Sequence, residues 1–577
     1  MSVDSIFPGL KSLLTYDKRN LKDDIAAGLT VGVMLIPQGM AYAMIAGLAP
    51  IYGLYASTIP ILIYAVMGTS RQLAVGPVAM VSLLTASGVS VLAEGGSEAY
   101  LGYVLLLALM VGAIQLLMGV FRLGFLVNFL SHPVISGFTS AAAIIIGASQ
   151  LKHLLGVALP KSHYVHEIFI AAIRQFSEIH WPTLLLGAGG IGIILIMKRI
   201  SRSIPGQIIA VIVSIFVVSL FHLDQLGVKI VGEVPSGLPV FQIPNFSMES
   251  FNSLLPIALA ISLVSYMESI AVAKAMQARH KNYKLSPNQE LIALGLSNIG
   301  GSFFQSYPVT GGFSRTAVND QAGAKTTLAS IISAFLVLLT LLFLTDLFYM
   351  MPNAILAAVI IVAVIGLIDV KEAIHLWHTH RIDFWMLIAT FVATLVLGIE
   401  KGILIGVTLS LVMVIFQSSY PHHAELGQVP GSDFYRNVDR FPGVLVRDDV
   451  LIIRFDASLF FGNSLRFRES LNDYIEQKGK RLKAIVLNCE SINNIDSTAL
   501  KMLEEVLEDT DKLGIKLLFA SVKGPIRDRL LHTSTFGRNG EDHFFMSIQD
   551  AVEYFDETRG GVKQGMRHED YVLQTNR

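Results

Sequence analysis

The sequence predicts an all-α polytopic membrane domain followed by a smaller α/β domain. Three observations carry this. The 577 residues are 53% hydrophobic and 15% charged, with a mean hydropathy of +0.59, whereas a soluble protein carries about 25% charged residues. Apolar stretches long enough to span a bilayer, which takes roughly 20 residues, succeed one another as far as Ser419. From Tyr420 onward the chain is charged, and short apolar runs alternate with helical patterns.

Spans are predicted near 24–48, 51–68, 75–93, 99–121, 131–151, 182–199 and 204–222, and again near 253–278, 288–303, 309–322, 327–346, 352–369, 382–399 and 402–418. That is about seven plus seven. Residues 222–252, with Pro235, Gly237, Pro239 and Pro244, read as the connection between halves. An odd number of spans per half inverts one half relative to the other, the arrangement of many secondary transporters. The expected organisation is a cytosolic N-terminal segment at 1–23, a transport domain at 24–419 with repeats at 24–222 and 253–418, a linker at 420–443, an α/β domain at 444–559 and a disordered tail at 560–577.

Loop charge sets the orientation. With the N-terminus inside, inner loops carry Arg71, Arg122, Lys198, Arg199, Arg202, Lys274, Arg279, Lys281, Lys284, Lys325, Lys371 and Arg381, against Lys152, Lys161 and Lys229 outside. This places the α/β domain in the cytosol of a multi-pass protein of the plasma or inner membrane. The lone Cys489 suits that reducing side. The N-terminus lacks the pattern of a signal peptide.

Polar and helix-breaking residues at membrane depth are tolerated where they face protein or a watery cavity. The run from Pro37 to Ser57 carries two prolines, several glycines, Gln38 and three tyrosines inside an apolar span, so it is expected to line a cavity. Gln38 and Tyr42 are four apart and share a helix face. Two further Gly/Pro-broken segments, 70–80 with Gly76-Pro77 and 307–319 with Pro308, Gly311 and Gly312, stand at matching positions of the two halves. Such a pair points to a binding site, and two facing helix N-termini would suit an anion; the competing reading is glycines packed in tight helix crossings.

Arg315 follows Ser314 at the start of the second broken helix and can fork onto an oxyanion. Glu268 is the acid well inside its span, a candidate proton carrier or the ion-pair partner of Arg315. His132 reads as structural. His375, His378 and His380 lack acid or cysteine partners in register, so no metal is expected.

These segments resemble the SulP sulfate-permease family. The resemblance implies fourteen spanning segments in two inverted repeats, divided into a mobile core and a gate, with an anion site between the N-termini of the third and tenth helices. By position, Gln38, Tyr42, Ala79, Phe313, Ser314 and Arg315 would line it. A sodium-dependent bicarbonate member of the family is expected to carry aspartate and threonine where this chain has Glu268 and Val272. Glutamate resembles the proton-coupled sulfate members.

In the remaining chain, 451–455, 484–488 and 517–521 read as buried strands, with helices after Ser464 and Asp496. This alternation resembles a STAS domain. Ser497 matches the phosphorylation site of that fold's soluble relatives, and it or Asp496 also reads as a helix cap.

The expectation is a proton-coupled symporter of sulfate or a similar oxyanion, working by an elevator movement. Alternatives of the same fold are a bicarbonate or C4-dicarboxylate transporter, or an anion exchanger or channel. The expected partners are an inorganic anion, the proton, the lipid bilayer and a second copy of the chain. No cofactor or nucleic acid is expected, and no nucleophile or phosphate loop marks an enzyme.

Overall fold

The computed structural model describes residues 7–125, 131–159, 165–200, 206–281, 283–533 and 543–560. Two units separate at Ser410 and Leu411. In the first half of the membrane unit the chain runs through α1 (Pro8–Leu14), α2 (Leu21–Ile45), α3 (Pro50–Tyr55), α4 (Ile59–Met67), β1 (Val75–Gly76), α5 (Ala79–Val89), α6 (Glu98–Val120), α7 (His132–Ser149), α8 (Leu151–Leu155), α9 (Val165–Arg174), α10 (Trp181–Ile200) and α11 (Gly206–Phe221). The second half comprises α12 (Met248–His280), α13 (Pro287–Ser302), β2 (Thr310–Gly311), α14 (Phe313–Gln321), α15 (Leu328–Phe343), α16 (Asn353–Ile365), α17 (Val370–Thr379), α18 (Arg381–Leu397) and α19 (Ile399–Ser419). Among the described residues, seven helical stretches are long and apolar enough to cross a membrane, and four shorter apolar helices accompany them.

The halves interlock reciprocally. Helix α6 packs on α12 and α13 of the other half, and α15 packs on α2 and α4; likewise α7 packs on α18, and α10 on α16. Where backbones meet, glycine is required. A Cβ on Gly112 would stand 2.6 Å from the carbonyl oxygen of Gly295, and one on Gly53 would stand 1.9 Å from that of Gly39. These are small-residue crossings that let helices approach closely. Prolines open α3, α4, α7 and α13, where the missing N–H costs nothing. Pro37, by contrast, lies inside α2, which continues to Ile45. The run from Pro37 to Ser57 is therefore broken at Ala46–Ala49, between α2 and α3, and not at Pro37.

In the second unit a six-stranded sheet has the order β4-β3-β5-β6-β7-β8, with β3 (His423–Gln428), β4 (Tyr435–Asn437), β5 (Val450–Phe455), β6 (Ala484–Asn488), β7 (Lys516–Ala520) and β8 (Phe544–Phe545). Strands β5 to β8 run parallel, and β3 is antiparallel to both its neighbours. Alternate side chains serve two cores. Leu451, Ile453 and Phe455 face one, with α20 (Ser464–Lys478), α21 (Ser497–Lys512) and α22 (Gly524–Leu531). Val450 and Ile452 face the other, with Ala551, Val552 and Phe555 of α23 (Ile548–Gly560).

The sheet corrects one expectation. Residues 420–443 are not simply a linker, because they contain β3 and β4. Ala424 and Leu426 are buried, but the polar residues between them mask the pattern. Lys478, itself largely buried, holds β3 through Glu425 at 2.6 Å. Apart from Gly560, the tail at 560–577 lies outside the described residues.

Candidate functional site

The two Gly/Pro-broken segments cross each other. β1 and β2 pair antiparallel, Val75 with Gly311 and Gly76 with Thr310, and each is followed within three residues by a helix, α5 and α14. Both helices begin at the crossing, so their first-turn amides and positive dipole ends are brought together.

A polar network fixes the crossing. Asn298 of α13 accepts from the Val309 amide at 2.8 Å and donates to the Val309 carbonyl and to Gln115 Oε1. Gln115 donates to Ser265 Oγ at 2.7 Å, Thr310 to the Ser265 carbonyl, and the Gly311 amide to Ser269 Oγ. On the opposite side Thr316 Oγ1 accepts from the Ala74 amide, and Asn319 donates to the Gln72 carbonyl. Each buried polar group contributes to holding a backbone that has left regular structure.

Arg315 is 2% exposed. Its Nη1 donates to the Pro77 carbonyl and approaches Gln38 Oε1 at 3.5 Å, so the guanidinium ties α14 to the segment before α5. Gly76, at φ 148°, and Gly312 make room for it: a Cβ on either would stand 3.4 or 3.1 Å from Nη2. Nε and Nη2 are buried and have no partner among the described residues. A buried charge with unused donors is costly unless something accepts from them.

Beside it lies a cavity of about 570 Å³. Gln38, Tyr42 and Ala79 line it from one half of the chain, and Glu268, Phe313, Ser314 and Arg315 from the other. All seven residues singled out in the membrane domain thus meet at one cavity. Glu268 is flanked there by Val264, Met267, Ala271 and Val272. It makes no ion pair with Arg315, so the alternative of a direct structural salt bridge between them is not realised. Phe313 is 59% exposed, and it and Ser314 also line an adjoining cavity of about 360 Å³ that reaches Lys198, Gln207 and Gln321.

His132 sits on the rim, where its Nδ1 lies 3.2 Å from Glu372 Oε1. His378 contacts the Ile374 carbonyl, and the described residues contain no group of three side chains able to hold a metal. Ser497 belongs to the second unit. It is the exposed first residue of α21, and Asp496 is the cap, accepting from the Ala499 amide at 2.8 Å.

Glu290 and Asp24 are among the buried acids that the sequence does not reveal. Glu290 accepts from Tyr64, from Thr69 Oγ1 at 2.5 Å and from the amides of Thr69 and Ser70. Asp24 accepts from Tyr16, Thr326 Oγ1 and the amides of Lys325 and Thr326. Both stand near predicted span ends, where an acid looks solvated. Only the fold shows that each binds a loop of the other half.

Residues 21–390 match the model of the sulfate permease family, and residues 442–551 match the STAS domain. The chain belongs to the sulfate permease family. It is 39% identical to a protein of Arabidopsis thaliana described as "Probable sulfate transporter 4.2", over 96% of this chain and 84% of that one. It is 36% identical to a probable sulfate transporter of Mycobacterium tuberculosis, over 95% and 98%. The murine Solute Carrier 26 family member A9 anion transporter, solved in an inward-facing state, superposes with a TM-score of 0.89 at 26% identity, covering 96% of this chain and 94% of that one. As a member of the sulfate permease family the chain is a multi-pass membrane transporter, not an enzyme.

Proposed function

We propose that this anion transporter is a proton-coupled symporter of sulfate or a similar small oxyanion, and that it works by an elevator movement of the crossing and its surrounding helices against a gate. One observation carries the reading: a buried arginine with unused donors, two helix N-termini and the carboxylate of Glu268 border the same cavity. Arginine stays charged in proteins, and together with two positive helix ends it favours a divalent oxyanion. Gln38, Tyr42 and Ser314 add polar groups that can bond to oxyanion oxygens.

Glu268 is assigned the coupling proton. On its own helix the residues beside it that line the cavity are Val264, Met267, Ala271 and Val272, which add no side-chain oxygen for a sodium ion, and sodium wants several hard donors. The relatives named as sulfate transporters support the substrate. The cavity lies beside Gly366–Asp369, at the end of α16 that leads to Lys371. By the charge rule this end is cytosolic, so the reading describes an inward-open form with the STAS domain on the same side.

The test is uptake of labelled sulfate into proteoliposomes under imposed proton and sodium gradients. Accumulation driven by an inside-alkaline interior is expected. Glu268→Gln should retain sulfate exchange and lose the proton drive; wild-type accumulation by that variant would remove Glu268 from coupling. If sulfate does not enter under any gradient while bicarbonate or a dicarboxylate does, the substrate assignment is wrong.

A further inference from the structure

A second concave basic site lies at the other end of two helices, one that walls the central cavity and one that walls the adjoining cavity. Helix α10 carries Lys198 at its C-terminal end, on the adjoining cavity, and Thr183 at its N-terminal end, on a separate pocket of about 270 Å³. Helix α16 repeats the arrangement, with Gly366 and Leu367 just past its end on the central cavity and Asn353 and Ala354 on the pocket. At 1.5 Å per residue, the 20 residues of α10 put the two regions roughly 30 Å apart, about one hydrocarbon thickness.

Lys152, His153 and Lys229 line this pocket, and none of the described residues lining it is an aspartate or glutamate. Its floor is the start of α16. The Asn353 amide is used by the Lys229 carbonyl at 3.0 Å and that of Ile355 by the Pro352 carbonyl, which leaves the amide of Ala354 in the first turn, at the positive end of a 13-residue helix. Gly156, at φ 71°, and Gly227, at φ 98°, turn the two approaching segments; a Cβ on Gly156 would stand 2.8 Å from His180 Cβ. A volume of about 270 Å³ accommodates an oxyanion with several waters, each of about 30 Å³.

We propose that this pocket is a second anion site, which binds a small hydrated oxyanion at the membrane face opposite the central cavity's mouth and supplies it to the transport cycle from that side. Two lysines concentrate anions at the surface and raise the encounter rate, while the helix end gives the site a fixed donor. The supply role rests on the reading of the chain as an oxyanion transporter. Binding in the pocket does not.

The experiment has two arms on the full-length protein. In the first, lysine modification by an amine-reactive reagent is mapped by mass spectrometry with inorganic sulfate, with inorganic phosphate, and with chloride at matched ionic strength. Lys152 and Lys229 should be protected several-fold by an oxyanion over chloride, and Lys371, outside the pocket, should not. Equal modification in all three salts would overturn the site. In the second arm, proteoliposomes with Lys152→Gln and Lys229→Gln should show a several-fold higher KM for sulfate supplied from that face with kcat unchanged, and an unaltered KM from the other face. Protection with an unaltered KM on both faces would overturn the supply role. Protection in a protein that moves no sulfate would leave the pocket standing and refute the substrate proposed for the central cavity.

Discussion

At the scale of single residues, Arg315 serves the architecture and the cavity at once. Nη1 is engaged by Pro77 and Gln38, while Nε and Nη2 have no partner among the described residues. Room for that arrangement depends on Gly312, because an added Cβ would lie 3.1 Å from Nη2 and 3.2 Å from Val78 Cγ1. Gly312→Ala should therefore shift the guanidinium and cost about 1 kcal/mol of anion binding, roughly fivefold in Kd, measured by equilibrium binding of labelled sulfate; an unchanged Kd would mean the guanidinium does not bind it. In the second unit, Cys489 is 3% exposed and burial pushes its thiol well above the usual range. A buried, protonated thiol is inert. A maleimide reagent at neutral pH should label the native protein slowly and the unfolded protein fully, read by mass shift.

Single elements owe their placement to close approaches and to shared polar groups. Helix α3 lies on α2 through Gly53 and Gly39, where a Cβ would meet backbone that no rotamer change can move. Gly53→Ala should cost about 3 kcal/mol or more, seen as a lowered unfolding midpoint in detergent, whereas Gly102→Ala on α6, with nothing within 4 Å of its Cβ, should leave the midpoint unchanged. Asn298 is the corresponding point for β2. Asn298→Ala removes the acceptor of the Val309 amide and the donors to Val309 and Gln115. A buried unsatisfied amide costs about 1–3 kcal/mol, and because β2 leads into Phe313 and Ser314, sulfate binding should fall together with stability. A variant that keeps stability and loses binding would assign Asn298 to the ligand instead.

For the whole membrane unit, the proposed cycle moves the crossing relative to helices such as α7 and α16. Ala79 and Met80 at the start of α5, and Phe138 on α7, line the same cavity from the two sides. With Cys489→Ser as background, cysteines placed at Met80 and Phe138 and cross-linked should abolish transport and recover it on reduction. Full transport by the cross-linked protein would exclude an elevator movement across that boundary. The same unit shows where sequence reading succeeds and where it stops. The regions containing Gln38, Tyr42, Ser314 and Arg315 were legible because polar residues, Gly and Pro stand out against apolar spans. Glu290 and Asp24 were not, because an acid near a predicted span end reads as solvated until the loop of the other half is seen capping it.

What the sequence alone determined is the list of groups: a membrane protein of two halves, two broken helices at matching positions, an arginine and an acid at membrane depth, and a STAS-like α/β unit. Periodicity, hydropathy and helix breakers are local properties and survive in one dimension. What tertiary structure decided is which groups face one another. It placed Arg315 against Pro77 and not against Glu268, moved the start of the α/β sheet forward to His423 through pairing with β5, and set Lys152 and Lys229 around the end of α16. Each of those contacts joins residues far apart along the chain. Their geometry is fixed by packing and by the demand that buried polar groups find partners, and neither leaves a local signature in the sequence.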